Sequence, residues 1–240
     1  MLASFFFATY SVYGLNKLTD FEEDIINNPE REKTIKKISK IFEISLVLSF
    51  ILSLVIGFST NILTLPALLF PLLMGVVYSV RILPHVPRLK DVTGVKNLII
   101  ALSWSVSLTL LPVIGLSIIE PKPIILVGYI SFVKSFINSI LFDVRDIEGD
   151  RINLIKTIPV LIGINKTKKI LLIMNSTLIP WLIFAYYFFS KYFFVLFFII
   201  IYGYWYILYF CRDGKKIGKS LDLLVDGEFI LAVILALIFV

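Results

Sequence analysis

The stretch YFFVLFFIIIYGYWYILYF, residues 192–210, contains no charged side chain. An α-helix rises 1.5 Å per residue, so about 20 apolar residues are enough to cross the hydrocarbon core of a membrane. The residues are continuously apolar and do not alternate with polar ones, which excludes a transmembrane β-strand. The stretch therefore predicts a membrane-spanning helix, which we extend to residue 211.

Seven more apolar segments lie along the chain, at about 1–15, 40–58, 62–82, 97–119, 124–142, 169–189 and 226–240. A soluble domain of 240 residues could not bury so much apolar surface, since 58% of the residues are hydrophobic and the mean hydropathy is +0.93. The connections are too short to fold alone. We predict an all-α, polytopic transmembrane bundle of about eight helices, forming a single domain over residues 1–240.

The basic residues predict how the chain is oriented. Twenty of the 23 Lys and Arg residues lie in four alternate connections, at 16–40, 81–96, 143–169 and 212–219. Because cytoplasmic loops carry an excess of Lys and Arg, these connections are expected in the cytoplasm, with the protein in the cell membrane. Topology accounts for the net charge of +6, so we expect no nucleic-acid partner.

A first acidic motif, NKLTDFEED at 16–24, comes directly after the first apolar segment. Asn16, Asp20 and Asp24 recur every four residues and so lie on one face of a continued helix. Carboxylates one turn apart repel each other, and a bound cation removes that cost. Oxygen ligands without His or Cys suit Mg²⁺, which is the cofactor that we expect.

A second acidic motif, FDVRDIEGD at 142–150, comes after the fifth segment and matches the first. The pattern D-x-x-x-D-x-x-N occurs at 20–27 and again at 146–153, and Asp143 adds a third carboxylate. Both copies leave a helix that runs toward the cytoplasm, so this parallel repeat places two acidic clusters at one membrane face. Two Mg²⁺ sites beside an apolar bundle fit a diphosphate with a hydrophobic tail, and isoprenyl diphosphates are of that class.

The paired motifs resemble those of the UbiA family of intramembrane prenyltransferases. The segments NNPER at 27–31 and KTIPVLIG at 156–163 resemble the segments that come after the family's first and second motifs. The stretch YSVRILPHVPRLKDVTGVKN at 78–97 resembles its third cytoplasmic element. The resemblance implies Mg²⁺-dependent transfer of a prenyl group from a polyprenyl diphosphate to a lipophilic or aromatic acceptor, in contact with membrane lipid.

The resemblance also implies which residues carry the reaction. The metal-binding and catalytic residues would be Asp20, Asp24, Asp146 and Asp150. The residues that contact the diphosphate would be Asn16, Tyr78, Arg81, Arg88, Lys90 and Asp143, of which Arg81 and Arg88 are assigned by proximity alone. The family fold has nine helices around a central cavity, with a cytoplasmic cap. Eight segments here lead us to expect that a first helix is absent.

Two other functions stay open at this stage. A transporter would use the repeat and the intramembrane charges for alternating access, although its site is expected nearer the membrane midplane. A truncated, non-catalytic relative would be retained as a membrane partner. Charges in the apolar segments also need an account: we expect Lys134 to pair with Glu120 or to line the cavity, and Asp226 and Glu228 to cap the last helix at its N-terminus.

Overall fold

The computed structural model describes residues 1–19, 32–79, 92–116, 120–152, 154–212, 217 and 220–239. These residues form helices and connections, and none of them lies in a β-strand. The α-helices, numbered α1 to α11 in chain order, are Leu2–Thr19, Glu32–Thr60, Thr64–Ser79, Val95–Leu116, Pro121–Arg145, Ile147–Ile152, Ile158–Ile162, Ile164–Ser176, Ile179–Phe188, Phe193–Phe210 and Glu228–Phe239. A 3₁₀ turn, Ser190–Tyr192, precedes α10, and a π-helical turn, Asp222–Asp226, precedes α11.

The described residues of each of the eight predicted apolar segments are largely helical, which confirms the all-α membrane class. In the described part of the chain, five helical stretches are long and apolar enough to cross a membrane: Lys40–Thr60, Val95–Gly115, Pro121–Arg145, Ile164–Phe188 and Ser190–Phe210. Two shorter apolar helices, Leu2–Leu15 and Thr64–Gly75, accompany them. The protein is therefore an integral membrane protein. The central cavity and the cytoplasmic cap stay predictions.

The segment predicted at 169–189 differs from the structure in where its helix begins and in an interruption within it. Helix α8 begins earlier than predicted, at Ile164. Its N-terminal part carries Lys166 and Lys168 and is polar, so hydropathy alone did not include it in the segment. The helix then breaks after Ser176, and α9 begins at Ile179 with a proline in its first turn. A proline is accepted at this position because the first N–H groups of a helix have no partner within it.

The chain divides into two compact units, residues 1–131 and 132–240. In the first unit, serine hydroxyls join neighbouring helices. Ser53 Oγ on α2 donates to the carbonyl of Ser4 on α1 at 2.8 Å, and Ser107 Oγ on α4 donates to the carbonyl of Ala67 on α3 at 3.0 Å. Small hydroxyl side chains let helix backbones approach closely. Interhelical hydrogen bonds help to hold the helices together, because the hydrophobic effect does not drive helix association within lipid.

In the second unit, α10 packs against α8 and α11. One face of α10 is buried, at Val195, Ile199, Ile200, Gly203, Tyr206, Ile207 and Phe210. The opposite face leaves large apolar side chains exposed at helical spacing, at Phe194, Phe197, Phe198, Ile201, Trp205 and Leu208. Such a stripe would be unfavourable in water and suits contact with lipid.

Candidate functional site

The second acidic motif lies at the end of the long apolar helix α5. This helix ends at Arg145, and α6 begins at Ile147. The helical path is nearly continuous, because the N–H of Asp146 donates to the carbonyl of Phe142 at 3.1 Å and that of Asp150 to the carbonyl of Asp146 at 2.9 Å. Asp143, Asp146 and Asp150 are thus about one turn apart along one path.

The three carboxylates of this motif differ in exposure. Asp143 is buried, with 3% of its surface exposed, whereas the side chain of Asp146 is 52% exposed. Asp150 is intermediate, and its Oδ2 accepts a hydrogen bond from Thr157 Oγ1 at 3.2 Å. The N–H of Ile155 donates to the carbonyl of Asp150 at 2.8 Å, so the loop after the motif folds back onto the end of α6.

Arg145 binds two carboxylates from different parts of the chain. Its Nε and Nη2 donate to the two oxygens of Asp146, at 2.8 and 3.1 Å. Its Nη1 donates to Asp222 Oδ1 at 3.0 Å, in the π-helical turn before α11. The guanidinium also lies over the ring of Phe142, 4.9 Å from its centroid. Asp222 was not predicted as part of the site, and its position 77 residues after Arg145 leaves no local sequence signal.

The donor set of the second motif fits Mg²⁺ in its chemistry, because it offers carboxylate oxygens and no His or Cys. Within the described ranges, no group of three or more His, Cys, Asp or Glu side chains is placed to hold a metal ion. Mg²⁺ does not require such a group, since it usually binds one or two carboxylates and completes its shell with water and substrate phosphates. Asp146 and Asp150 are the two residues that would hold it here.

The first acidic motif and the third element fall largely outside the described residues. Asn16 lies in the last turn of α1 and Tyr78 in the last turn of α3, but neither side chain is among those described. The predictions for Asp20, Asp24, Arg81, Arg88 and Lys90, and for Asn27 and Asn153 of the repeat, lie outside the described residues altogether. The assignments to these positions stay predictions.

A buried ion pair in the second unit corrects the expected partner of Lys134. Lys134 Nζ lies 2.6 Å from Glu228 Oε1, and the two side chains are only 1% and 2% exposed. Lys134 therefore pairs with Glu228 and not with Glu120. Glu228 lies in the first turn of the last helix, as expected, and its carboxylate is also the buried partner of the lysine. The sequence did indicate that both residues need a partner, because each lies within an apolar segment and an unpaired charge in a membrane helix is energetically costly.

The ion pair is the centre of a larger polar network. Lys134 Nζ also donates to the carbonyl of Ile199 at 2.9 Å and to Asn175 Oδ1 at 3.3 Å. Tyr206 Oη donates to Glu228 Oε2 at 3.1 Å, so each carboxylate oxygen has a partner. Buried charges are tolerated when they are paired and hydrogen-bonded in this way. The network joins α5, α8, α10 and α11.

One face of α5 carries the contacts to the segment 222–228. Lys134 pairs with Glu228, the Nδ2 of Asn138 lies 3.5 Å from the carbonyl of Val225, and Arg145 pairs with Asp222. These three α5 residues fall within about 40° of one another around the helix axis, whereas Asp143 lies about 180° from Lys134. The polar contacts therefore hold α5 on one side and leave Asp143 on the other, whereas Asp146 is joined to the contact side through Arg145.

Replacing Gly203 by alanine tests the tightness of this network. A Cβ at Gly203 would meet Asn175 Oδ1 and would lie 2.5 Å from Lys134 Nζ. We expect Gly203→Ala to lower the free energy of unfolding by about 1–3 kcal/mol, because overpacking outweighs the gain in helix propensity. The measurement is unfolding of the purified protein in mixed micelles.

Gly75→Ala is the matched control for that variant. Gly75 also lies within a helix, and among the described residues a Cβ added there would meet Val12 Cγ1 alone, at an ordinary 3.8 Å. We expect this variant to be neutral or to gain up to about 1 kcal/mol. Equal stability changes in the two variants would contradict the account of Gly203.

Comparison with known proteins supports the resemblance to the UbiA prenyltransferases that the sequence motifs indicated. The chain is 29% identical over 159 residues to the digeranylgeranylglyceryl phosphate synthase of Methanothermobacter thermautotrophicus. The alignment covers 66% of this chain and 53% of the relative, so the chain spans about half the length of the curated relative that it matches. No solved structure matches the chain. The family profile described as the UbiA prenyltransferase family matches residues 1–224, and the chain therefore belongs to this family.

Proposed function

We propose that the protein transfers a prenyl group from a polyprenyl diphosphate to a lipophilic acceptor within the membrane, and that the reaction depends on Mg²⁺. The observation that carries the proposal is the acidic motif Asp143, Asp146 and Asp150 at the end of the apolar helix α5. Such a position suits a substrate with a charged head and a hydrocarbon tail, because its two parts need the two environments that meet there. The membership of the UbiA family supports the same function.

The second motif would hold one side of the diphosphate, and Asn16, Asp20 and Asp24 would hold the other. When bound, Mg²⁺ supplies positive charge that neutralises the leaving diphosphate. Asp146 and Asp150 would hold it, with Asp143 at the rim of the site. Tyr78, Arg81, Arg88 and Lys90 remain the proposed contacts from the third element.

The chain's remaining contribution is to exclude water. In the proposed reaction the C–O bond between the allylic carbon and the diphosphate breaks, and the diphosphate leaves with the electron pair. A nucleophilic atom of the acceptor then bonds to the allylic carbon and loses its proton. Apolar helices around the prenyl group prevent capture of the allylic cation by water.

The acceptor that we favour is suggested by the relative's name. That protein is named for a product with two geranylgeranyl groups on glyceryl phosphate. We therefore propose an ether-lipid acceptor of the geranylgeranylglyceryl phosphate type, with a quinone precursor as the aromatic alternative. The excess of basic residues in alternate connections supports placing the acidic motifs at the cytoplasmic face of the cell membrane.

The test uses the purified full chain in detergent with radiolabelled geranylgeranyl diphosphate and Mg²⁺. Geranylgeranylglyceryl phosphate, 4-hydroxybenzoate and dihydroxynaphthoate are offered as separate acceptors. We expect a labelled product with geranylgeranylglyceryl phosphate, and we expect EDTA to abolish it and added Mg²⁺ to restore it. Product formation that is unaffected by EDTA would contradict the metal dependence, and silence with all three acceptors would contradict the proposed substrate class.

A further inference from the structure

Arg145 forms hydrogen bonds to the carboxylate of Asp146, the residue that the proposed function assigns to metal binding. Both oxygens of Asp146 accept hydrogen bonds from this guanidinium, which also binds Asp222. We propose that Arg145 is an internal counter-ion of Asp146, and that it transfers to Asp222 when Asp146 binds the metal and diphosphate. Asp222 is then a positioning residue for Arg145. This inference rests on the proposed function.

The geometry makes the guanidinium and a metal ion competitors. A two-pronged contact from arginine to a carboxylate uses one lone pair of each oxygen and holds the carboxylate in the guanidinium plane. Arginine cannot lose its proton in a protein, so the competition is relieved only when the side chain moves. A metal ion at Asp146 would have to use the remaining lone pairs, with the positive guanidinium on the other side of the same carboxylate. The two positive charges repel each other, so metal binding favours loss of at least part of the contact with Arg145.

Asp222 provides the place to which Arg145 can move. Its Oδ1 already accepts from Nη1 at 3.0 Å, and it is 51% exposed, close to the 52% of Asp146. The Phe142 ring lies beneath the guanidinium, at 4.9 Å, and favours movement parallel to the ring. Arginine has five N–H groups, of which three are used here, so two have no acceptor among the described residues. Those two groups suit oxygens of a bound diphosphate.

The test measures binding of Mn²⁺ as the probe, by the electron paramagnetic resonance signal of the free ion, with the purified full chain in detergent. Arg145→Lys keeps the charge but loses the planar fork. We expect it to lower the Mn²⁺ dissociation constant about two- to fivefold, the range that corresponds to the loss of an exposed ion pair. Asp222→Asn leaves Arg145 with Asp146 alone and should raise the dissociation constant by a similar factor.

Further variants test whether the Mn²⁺ affinity changes because Arg145 competes for Asp146 or only because the net charge near the site changes. Glu148→Gln removes one negative charge from an exposed residue of α6 that takes no part in the described hydrogen bonds of Arg145, and so measures the charge effect alone. The single variant Arg145→Gln and the double variant Arg145→Gln/Asp222→Asn complete a double-mutant cycle with Asp222→Asn. Competition predicts that Asp222→Asn has no further effect once Arg145 is gone. Through-space electrostatics predicts that the two single effects add.

The outcomes distinguish the movement of Arg145 from Asp146 to Asp222 from the proposed metal binding at Asp146, on which it rests. Wild-type Mn²⁺ affinity in Arg145→Lys, together with additive effects in the double variant, would overturn the exchange while leaving the metal site intact. Unchanged Mn²⁺ binding in Asp146→Asn would overturn the metal site itself and, with it, this inference. Tighter binding in Arg145→Lys and a non-additive double variant would support the exchange.

Discussion

We expect Asp146→Asn to lower the rate of prenyl transfer at least about a hundredfold, and Asp150→Asn to do the same. Asparagine keeps the size of the side chain but removes the negative charge that would hold the metal ion. Losing one group that stabilises developing charge in a transition state commonly costs a factor of about 10² to 10³. The measurement is the initial rate of labelled product formation at saturating Mg²⁺, with the amount of membrane-inserted protein determined for each variant.

Glu148→Gln provides the matched control. Glu148 is an exposed residue of α6 that lies between Asp146 and Asp150 in the sequence. It is not among the residues proposed to bind metal. Its replacement removes the same charge without removing a proposed ligand, so we expect a rate within about a factor of two of the unmodified protein, in line with the small effects of most surface substitutions. Equal losses in all three variants would show that the local negative charge matters and not the particular aspartates.

We expect Lys134→Met to destabilise the protein by about 3–5 kcal/mol, the cost of leaving one member of a buried ion pair without its partner. The carboxylate of Glu228 would keep the hydrogen bond from Tyr206 and lose the lysine that lies 2.6 Å away. Methionine matches the length of the lysine stem, so the loss reflects the charge more than the packing. The measurement is unfolding of the purified protein by SDS in mixed micelles.

The double variant Lys134→Met/Glu228→Gln should recover more than half of that loss. Replacing both charges removes the uncompensated carboxylate, and exchange of a complete buried pair for neutral groups is often nearly neutral. Lys166→Met is the control, because Lys166 is exposed on α8, and we expect it to change stability by less than about 0.5 kcal/mol. A double variant as unstable as Lys134→Met would show that the pairing is not what stabilises this unit.

The helices were predictable from the sequence because a membrane demands long apolar runs. The bounds were harder to predict where polar residues continue a helix. Helix α5 extends to Arg145, beyond the predicted end at 142, because the backbone stays helical after the apolar residues stop. Hydropathy reports which residues can lie in lipid, and hydrogen bonding decides where the helix ends.

The acidic motif was predictable from the sequence because its residues are close together in the chain. The spacing of Asp146 and Asp150 gives their placement on successive turns without any tertiary information. The partners of Arg145 and Lys134 were not predictable, since Asp222 and Glu228 lie 77 and 94 residues further along the chain. Periodicity describes one helix at a time and does not identify which helices pack together.

The two kinds of contact on α5 explain how a reactive site can be built on a membrane helix. Lys134 and Arg145 attach one side of the helix to the segment 222–228, one deep in apolar surroundings and the other near its end. Asp143 lies on another side of α5, and Asp146 and Asp150 follow it along the nearly continuous helical path. We therefore expect the buried network to fix the direction of the motif, because a helix held along one face cannot readily rotate.

The central claim is that two acidic motifs, one after each of two apolar helices, bind one diphosphate together. The most direct measurement is equilibrium binding of a non-reactive geranylgeranyl S-thiolodiphosphate to the purified chain, with and without Mg²⁺, in Asp20→Asn, Asp146→Asn and the unmodified protein. The account predicts Mg²⁺-dependent binding that either substitution weakens at least about tenfold, as loss of metal-site groups does. Binding that needs no metal, or that survives loss of either aspartate, would contradict it.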